Sequence, residues 1–244
     1  YYDEGQSLRM LTATLINAEG EVIAEITTSG DPDDPEDDSQ VHIRAVGEDG
    51  NFVVVSKYEA QLYSSSGVAI GDSMPLNSAV SNAHFEGVEA IGDTGSYIIT
   101  SFKYTYTDDN NRYPVVYAQI FNAQGEYQGD SIVLGEGELN TVIHHSRSAI
   151  GLVGGDQVVV SWTTRDSDGG AGARITYFQT ININDGTLSG EAITPFASIG
   201  ESEEISVRIA NIFPVGEQGD YGLLGRVDFV ASDDREYYAK FVTA

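Results

Sequence analysis

Two kinds of apolar run follow one another along the chain. In the first kind apolar and polar residues alternate, as in "LTATLI" from Leu11 and "EVIAEITT" from Glu21. Alternation of this period places apolar side chains on one face of a strand. The second kind is unbroken: "FVVV" from Phe52, "YIIT" from Tyr97, "VVVS" from Val158 and "YGLL" from Tyr221. These β-branched and aromatic runs predict strands covered on both faces. No stretch carries the three-to-four-residue apolar period of an amphipathic helix, so the chain reads as all-β.

The alternating runs are copies of one another. Five copies read "ATLINAEGEV" from Ala13, "AQLYSSSGVA" from Ala60, "AQIFNAQGEY" from Ala118, "FQTININDGT" from Phe178 and "AKFVTA" from Ala239. Their second positions are Thr14, Gln61, Gln119, Gln179 and Lys240, separated by 47, 58, 60 and 61 residues. Gly20, Gly67 and Gly125 follow six residues later, and Gly186 comes one residue later still in its copy. A late glycine between two alternating runs predicts a β-hairpin, because glycine adopts the positive φ of a tight turn.

A second strand–turn–strand motif precedes four of the five copies, from Ala45, Ala90, Gly151 and Phe213, and contains the unbroken runs. One full repeat is therefore four antiparallel strands, A to D, with a B–C loop of variable length. Units of this kind and period predict a β-propeller-like fold of four to five blades, incomplete at the ends; a β-sandwich or an open array of sheets is the alternative. The repeats span one domain over residues 1–244, with units at about 8–28 (partial), 41–77, 86–135, 147–195 and 205–244 (partial). The first copy has C and D without A and B, and the last has A, B and C without D. That predicts either a ring closed by both termini or a piece of a longer array. The chain opens at Tyr1 with no Met and no basic-then-apolar leader, which fits a processed product or a fragment.

Charge narrows the choice of partners. The 38 acidic residues outnumber the 12 basic ones, for a net charge of −26. Such a surface repels phosphate backbones and anionic lipid, which argues against nucleic-acid binding. No apolar run approaches the roughly 18 residues of a membrane-spanning helix, so membrane insertion is not expected. Cysteine is absent, which excludes disulfides and thiolate metal sites.

The same acidity offers one cofactor, calcium. The run "DPDDPEDD", containing Asp33 and Asp37, lies in the acidic linker loop at 29–40 and supplies hard oxygen ligands. Without a turn glycine it reads more readily as a self-repelling linker held extended by Pro32 and Pro35. The loop "RDSDGG", with Asp166 and Asp168, carries the Asp-x-Asp-Gly core of many calcium loops. Asp108 and Asp109 in "TDDNN" and Asp233 and Asp234 in "SDDRE" recur at the same B–C position. Repeated ion sites and ordinary Asp/Asn/Gly turns both account for that recurrence. His42, His84, His144 and His145 offer little for a metal, since neighbours on a strand point to opposite faces. There is no Gly-x-Ser-x-Gly elbow and no His-Glu-x-x-His, and "DSDGGAGARI" lacks the Thr-Trp that would close a sialidase Asp-box. Tyrosines such as Tyr104, Tyr106 and Tyr113 cluster about a B–C hairpin, where strand packing accounts for most of them.

The segments "GGDQVVVSW", "DSDGG" and "ITYFQTININDG", with their sisters "GSYIITSF", "YTDDNN" and "VVYAQIFNAQG", resemble a repeat of large secreted acidic bacterial adhesins and of haemolysin-type (RTX) calcium-binding surface proteins. The likeness covers most of residues 41–244. Only one copy keeps the tryptophan of that repeat, Trp162; Ser56, Ser101 and Gly225 stand in the others. The RTX nonapeptide is missing, so its calcium binding does not carry over. The resemblance implies an extracellular, non-catalytic adhesion or scaffold module of a larger secreted or cell-surface protein, with a protein or glycan as partner. Two alternatives remain open: a self-assembling filament or surface-layer subunit that associates by terminal strand exchange, and a carbohydrate-active or glycan-binding propeller.

Overall fold

The four unbroken apolar runs each become the second strand of a sheet. A computed structural model describes residues 10–17, 19–29, 41–56, 59–76, 84–109, 111–137, 141–143, 149–154, 156–166, 175–194, 205–215, 220–229 and 235–242. Sheet I is the hairpin β1 (Met10–Ile16) and β2 (Val22–Ser29). Sheet II runs β3 (His42–Val46), β4 (Asn51–Val55), β5 (Glu59–Tyr63) and β6 (Ala69–Pro75) in order. Sheet III is β7 (His84–Ile91), β8 (Ser96–Tyr106), β9 (Arg112–Phe121) and β10 (Ile132–Glu136). In sheet IV both β11 (Thr141–Ile143) and β12 (Ala149–Gly154) pair with β13 (Gln157–Asp166), which is followed by β14 (Ile175–Asn182) and β15 (Leu188–Ile193). Sheet V is β16 (Ile205–Pro214), β17 (Tyr221–Phe229) and β18 (Arg235–Val242). All pairings are antiparallel.

The repeat read from the sequence is also a repeat of register. Gln61 pairs with Val54, Gln119 with Ile99, Gln179 with Val160 and Lys240 with Leu223. The short β11 is the one described strand that the four-strand pattern did not anticipate. Three residues are too few to show a period, and β11 extends the ladder of β13 beyond the end of β12.

Each central strand serves two interfaces at once. On β4, Phe52 and Val54 cluster with Ile26 of sheet I, whereas Val53 and Val55 cluster with Tyr97 and Ile99 of sheet III. On β8, Ile98 and Phe102 turn the other way and meet Val158, Val160 and Trp162 of sheet IV. On β13, Val159 joins Phe178 against Ile212, Tyr221 and Leu223 of sheet V. Period-two geometry thus turns one apolar run into two walls, and each sheet packs on the next in chain order. Burying each Val or Ile side chain contributes about 1.5–3 kcal/mol. The first strands converge, β3 on β7, β7 on β12 and β12 on β16. Arg44 of β3 and Glu89 of β7 form an ion pair across that convergence. Successive sheets stacked face to face, with the first strands of sheets II to V converging, are propeller-like blades, not the two layers of a sandwich.

The repeated glutamine has a structural task. At Gln61 and Gln179 the C–D ladder shifts register, and Gln119 falls between the pair Ala118–Ile132 and the bridge Phe121–Tyr127. Each side-chain amide fills the gap in its ladder. Gln61 Nε2 donates to Leu62 O at 2.9 Å and Ile70 O at 3.1 Å, and Gln119 Nε2 to Ile120 O at 3.1 Å and Gly129 O at 3.3 Å. Gln179 Nε2 donates to Thr180 O at 3.1 Å and Gly190 O at 3.2 Å. The opposing strand bends through Gly71, Gly129 and Gly190, at φ of 66°, 79° and 73°. In sheet I, Thr14 replaces the glutamine and Ala24 stands at the glycine position; there Thr14 pairs with Glu25 and Leu15 with Ala24 without a break. Both halves of the clamp are lost together.

Two of these glycines separate conformation from contact. A Cβ on Gly71 would stand 2.7 Å from the Gln124 carbonyl oxygen, whereas one on Gly129 would meet no atom of the described residues within 4 Å. Gly129→Ala is expected to cost about 1 kcal/mol from its positive φ alone, and Gly71→Ala about 2–4 kcal/mol from φ and clash together. Urea unfolding of the two variants checks the order; equal losses would contradict it.

Candidate functional site: a cleft between sheets III and IV

The C–D turns decide where the outer rim is closed. In the turn after β5, Gly67 donates its N–H to Ser64 O at 2.8 Å; in the turn after β9, Gly125 donates to Asn122 O at 3.0 Å. Asn122 Oδ1 also accepts from the N–H groups of Gln124 and Glu126, so the turn is fixed by its first residue. These narrow turns lean on the preceding sheet. The Gln124 carbonyl covers Gly71, and Gly67 lies against Ala24.

The turn after β14 is one residue wider, with Gly186 N–H donating to Asn182 O at 2.9 Å. The partly buried Ile183 packs against the core between sheets III and IV, and its N–H donates to Asp156 O at 2.9 Å. Gly186 comes to rest over Ile132, where a Cβ would stand 3.2 Å from Cδ1. No described residue covers Gly129. The result is a cleft of about 400 Å³ between the residues leading into β10 and the widened turn.

Its floor is Ile120, Ile132 and Ile183, and its rim carries Gln128, Asp130, Ser131, Asn184 and Asp185. The sheet III wall is held by the clamp, since Ser131 Oγ donates to Gln119 Oε1 at 2.9 Å and Gln119 Nε2 to Gly129 O. Across the cleft, Asp185 Oδ1 accepts from Thr187 N–H at 2.9 Å and from Thr187 Oγ1 at 2.7 Å. The Thr187 hydroxyl, then its N–H, hold the Asp185 carboxyl below the usual carboxylate range. An ionised carboxylate, amides and a hydroxyl above an apolar floor can hold a small polar ligand. The late position of Gly186 was the one trace of this cleft in the sequence.

None of the described metal candidates from the sequence lines that cleft. Asp108 and Asp109 are exposed in the turn between β8 and β9, which Thr107 closes by donating its N–H and its Oγ1 to Asn111 O at 2.8 and 3.3 Å. Asp166 ends β13 opposite Thr141. Asp33, Asp37, Asp168, Asp233 and Asp234 lie outside the described residues, as do His144 and His145. Among the described residues, no group of three or more His, Cys, Asp or Glu is placed to hold a metal. His42 lies edge-on to Phe85 at 4.7 Å, and burial lowers its pKa against the opposing pull of Glu86. The β8–β9 hairpin carries stacked cations instead, with Arg112 4.9 Å over Tyr104 and Lys103 5.4 Å over Tyr117.

Trp162 is buried between sheets III and IV, stacked on Tyr177 at 5.5 Å. A Cβ on Gly135 would stand 2.8 Å from its ring, so β10 needs glycine there. Trp162 Nε1 and the Tyr97 hydroxyl are buried and find no hydrogen-bond partner among the described residues.

No family model and no curated protein matches the chain. Among solved structures it is similar to an endo-arabinase from Bacteroides thetaiotaomicron at 10% identity, over 84% of this chain and 74% of that one, with a TM-score of 0.32. An alpha-L-arabinofuranosidase from Lactobacillus brevis matches at 10% identity over 82% and 71%, with a TM-score of 0.37. The WD40 domain of SCAP from fission yeast matches at 10% identity over 96% and 70%, with a TM-score of 0.32. Superpositions this loose carry nothing about chemistry to this chain.

Because Thr187 stabilises the charged form of Asp185, this contact supports the fold above the carboxyl's ordinary pKa and is lost as pH falls through its depressed value. Thr187→Val is expected to move the Asp185 titration upward, read by carboxyl-carbon NMR; an unmoved titration would contradict the assignment.

Proposed function

We propose that the chain is a non-catalytic interaction module of a large secreted or cell-surface protein, a rigid stack of blades that presents its turns to a protein or glycan partner. The observation that carries this reading is the use made of the repeated polar residues. Gln61, Gln119 and Gln179 clamp strands, and Asn17, Asn122 and Asn182 shape turns. What the repeat preserves is scaffold, and what varies lies in the loops held by it. The buried polar side chains among the described residues, such as Ser161, Thr163 and Gln179, are neutral and serve the same end; Thr163 and Thr176 bond each other at 2.9 Å.

The acidic surface and the likeness to adhesin repeats support an extracellular location. Calcium stays in this reading as an ion for the aspartates of the B–C loops, Asp108 and Asp109 among them. Strand exchange has less support. The N-terminal hairpin packs on sheet II through Ile26 against Phe52 and Val54, an interface that exchange between chains would have to reproduce.

The test is incubation of the protein with neutral plant and bacterial polysaccharides, with calcium and with chelator, followed by reducing-sugar analysis. No release above a boiled control is expected in either condition. Release of oligosaccharides that scales with protein concentration would replace this reading with the carbohydrate-active one.

A further inference from the structure

We propose that the cleft between sheets III and IV binds a neutral, hydroxyl-rich ligand, a saccharide of one or two units, held by Asp130 and Asp185 over the isoleucine floor. The proposal rests on the reading of the chain as a binding module and names the chemistry of its ligand. Three observations lead to it.

The cleft is a local exception in a repeating structure. At the matching place between sheets II and III the Gln124 carbonyl fills the space over Gly71, and the single extra residue in the turn after β14 removes that cover from Gly129. Its volume of about 400 Å³ lies in the range of small-molecule sites.

The rim favours hydroxyl donors. Among the described residues the polar side chains lining the cleft are the carboxylates of Asp130 and Asp185, the amides of Gln128 and Asn184 and the Ser131 hydroxyl. A carboxylate accepts from adjacent hydroxyls of a sugar ring, the amides both donate and accept, and the isoleucines take the ring's C–H face. Anions are disfavoured by a net charge of −26. A simple cation is the weaker fit, because Asp185 already receives two hydrogen bonds from Thr187 and the floor is apolar.

The walls are set before any ligand arrives. Gln119 fixes Gly129 and Ser131 on one side, and Thr187 fixes Asp185 on the other. Little ordering is then needed on binding.

The experiment is amide chemical-shift mapping of the whole chain, titrated separately with glucose, galactose, mannose, xylose and arabinose, and with butylammonium chloride as a cationic probe. At least one sugar is expected to shift the amides of Gly129, Ser131 and Asn184 to Gly186, saturating in the millimolar range. Asp130→Ala should weaken that binding about ten-fold or more with an unchanged melting temperature, while Asp108→Ala leaves it as it was. The proposal is overturned if no sugar moves those amides, if butylammonium moves them in preference, or if Asp130→Ala binds as tightly as the parent. Absence of sugar binding leaves the non-catalytic module reading standing; hydrolysis of an oligosaccharide would overturn that reading while leaving the binding map intact.

Discussion

Every sheet between the first and the last is gripped on both faces, and the second strand of each repeat makes that possible. In "NFVVV", "SYIIT" and "QVVVSW" consecutive side chains leave the backbone on opposite sides, so one residue completes the interface behind and the next completes the interface ahead. A single meander of these strands has one covered face at most and too little buried area to stand alone. Stacking supplies the second face, and each repeat then depends on its immediate neighbours for most of its core. The four buried clusters, each shared by two consecutive sheets, are that dependence made visible.

Once the stack is fixed, small local differences acquire consequences. The clamp glutamines let strand C slip past strand D by a bulge, and the positive-φ glycines opposite them make the bend available. The bulge sets the approach of each C–D turn to the preceding sheet, and a narrow turn closes that approach. One additional residue in "NINDG" leaves it open and exposes carboxylates, amides and isoleucines in one concave place. A site formed in this way stays with the scaffold, since its walls are the same hydrogen bonds that hold the repeat. In sheet I the clamp and its glycine are both replaced, and the register shift falls instead between Leu15 and Ile16.

The fold was legible because its signals are periodic. Alternation, the unbroken central runs and the repeated Gln and Gly specify the strands, their order and the shared position at Gln61, Gln119 and Gln179. The three-residue β11 was not legible, because its pairing depends on the length of its partner β13 and not on a pattern of its own. The candidate site was legible only as an offset. Gly186 stands one residue late in its copy, but that shift does not say that Gln124 covers Gly71 while Gly129 is left open. Asp108 and Asp109, which the sequence put forward for calcium, stand exposed in a turn closed by Thr107 and Asn111, and composition alone does not separate a turn of this kind from an ion site.

The two-faced central strand is tested most directly by double-mutant cycles on adjacent residues of β8. Ile98→Ala should couple with Val160→Ala across sheets III and IV by about 0.5 kcal/mol or more, and be additive with Val53→Ala; Ile99→Ala should show the reverse, coupling with Val53→Ala and additive with Val160→Ala. Additivity in all four combinations, or coupling in the opposite pattern, would contradict the stacked arrangement.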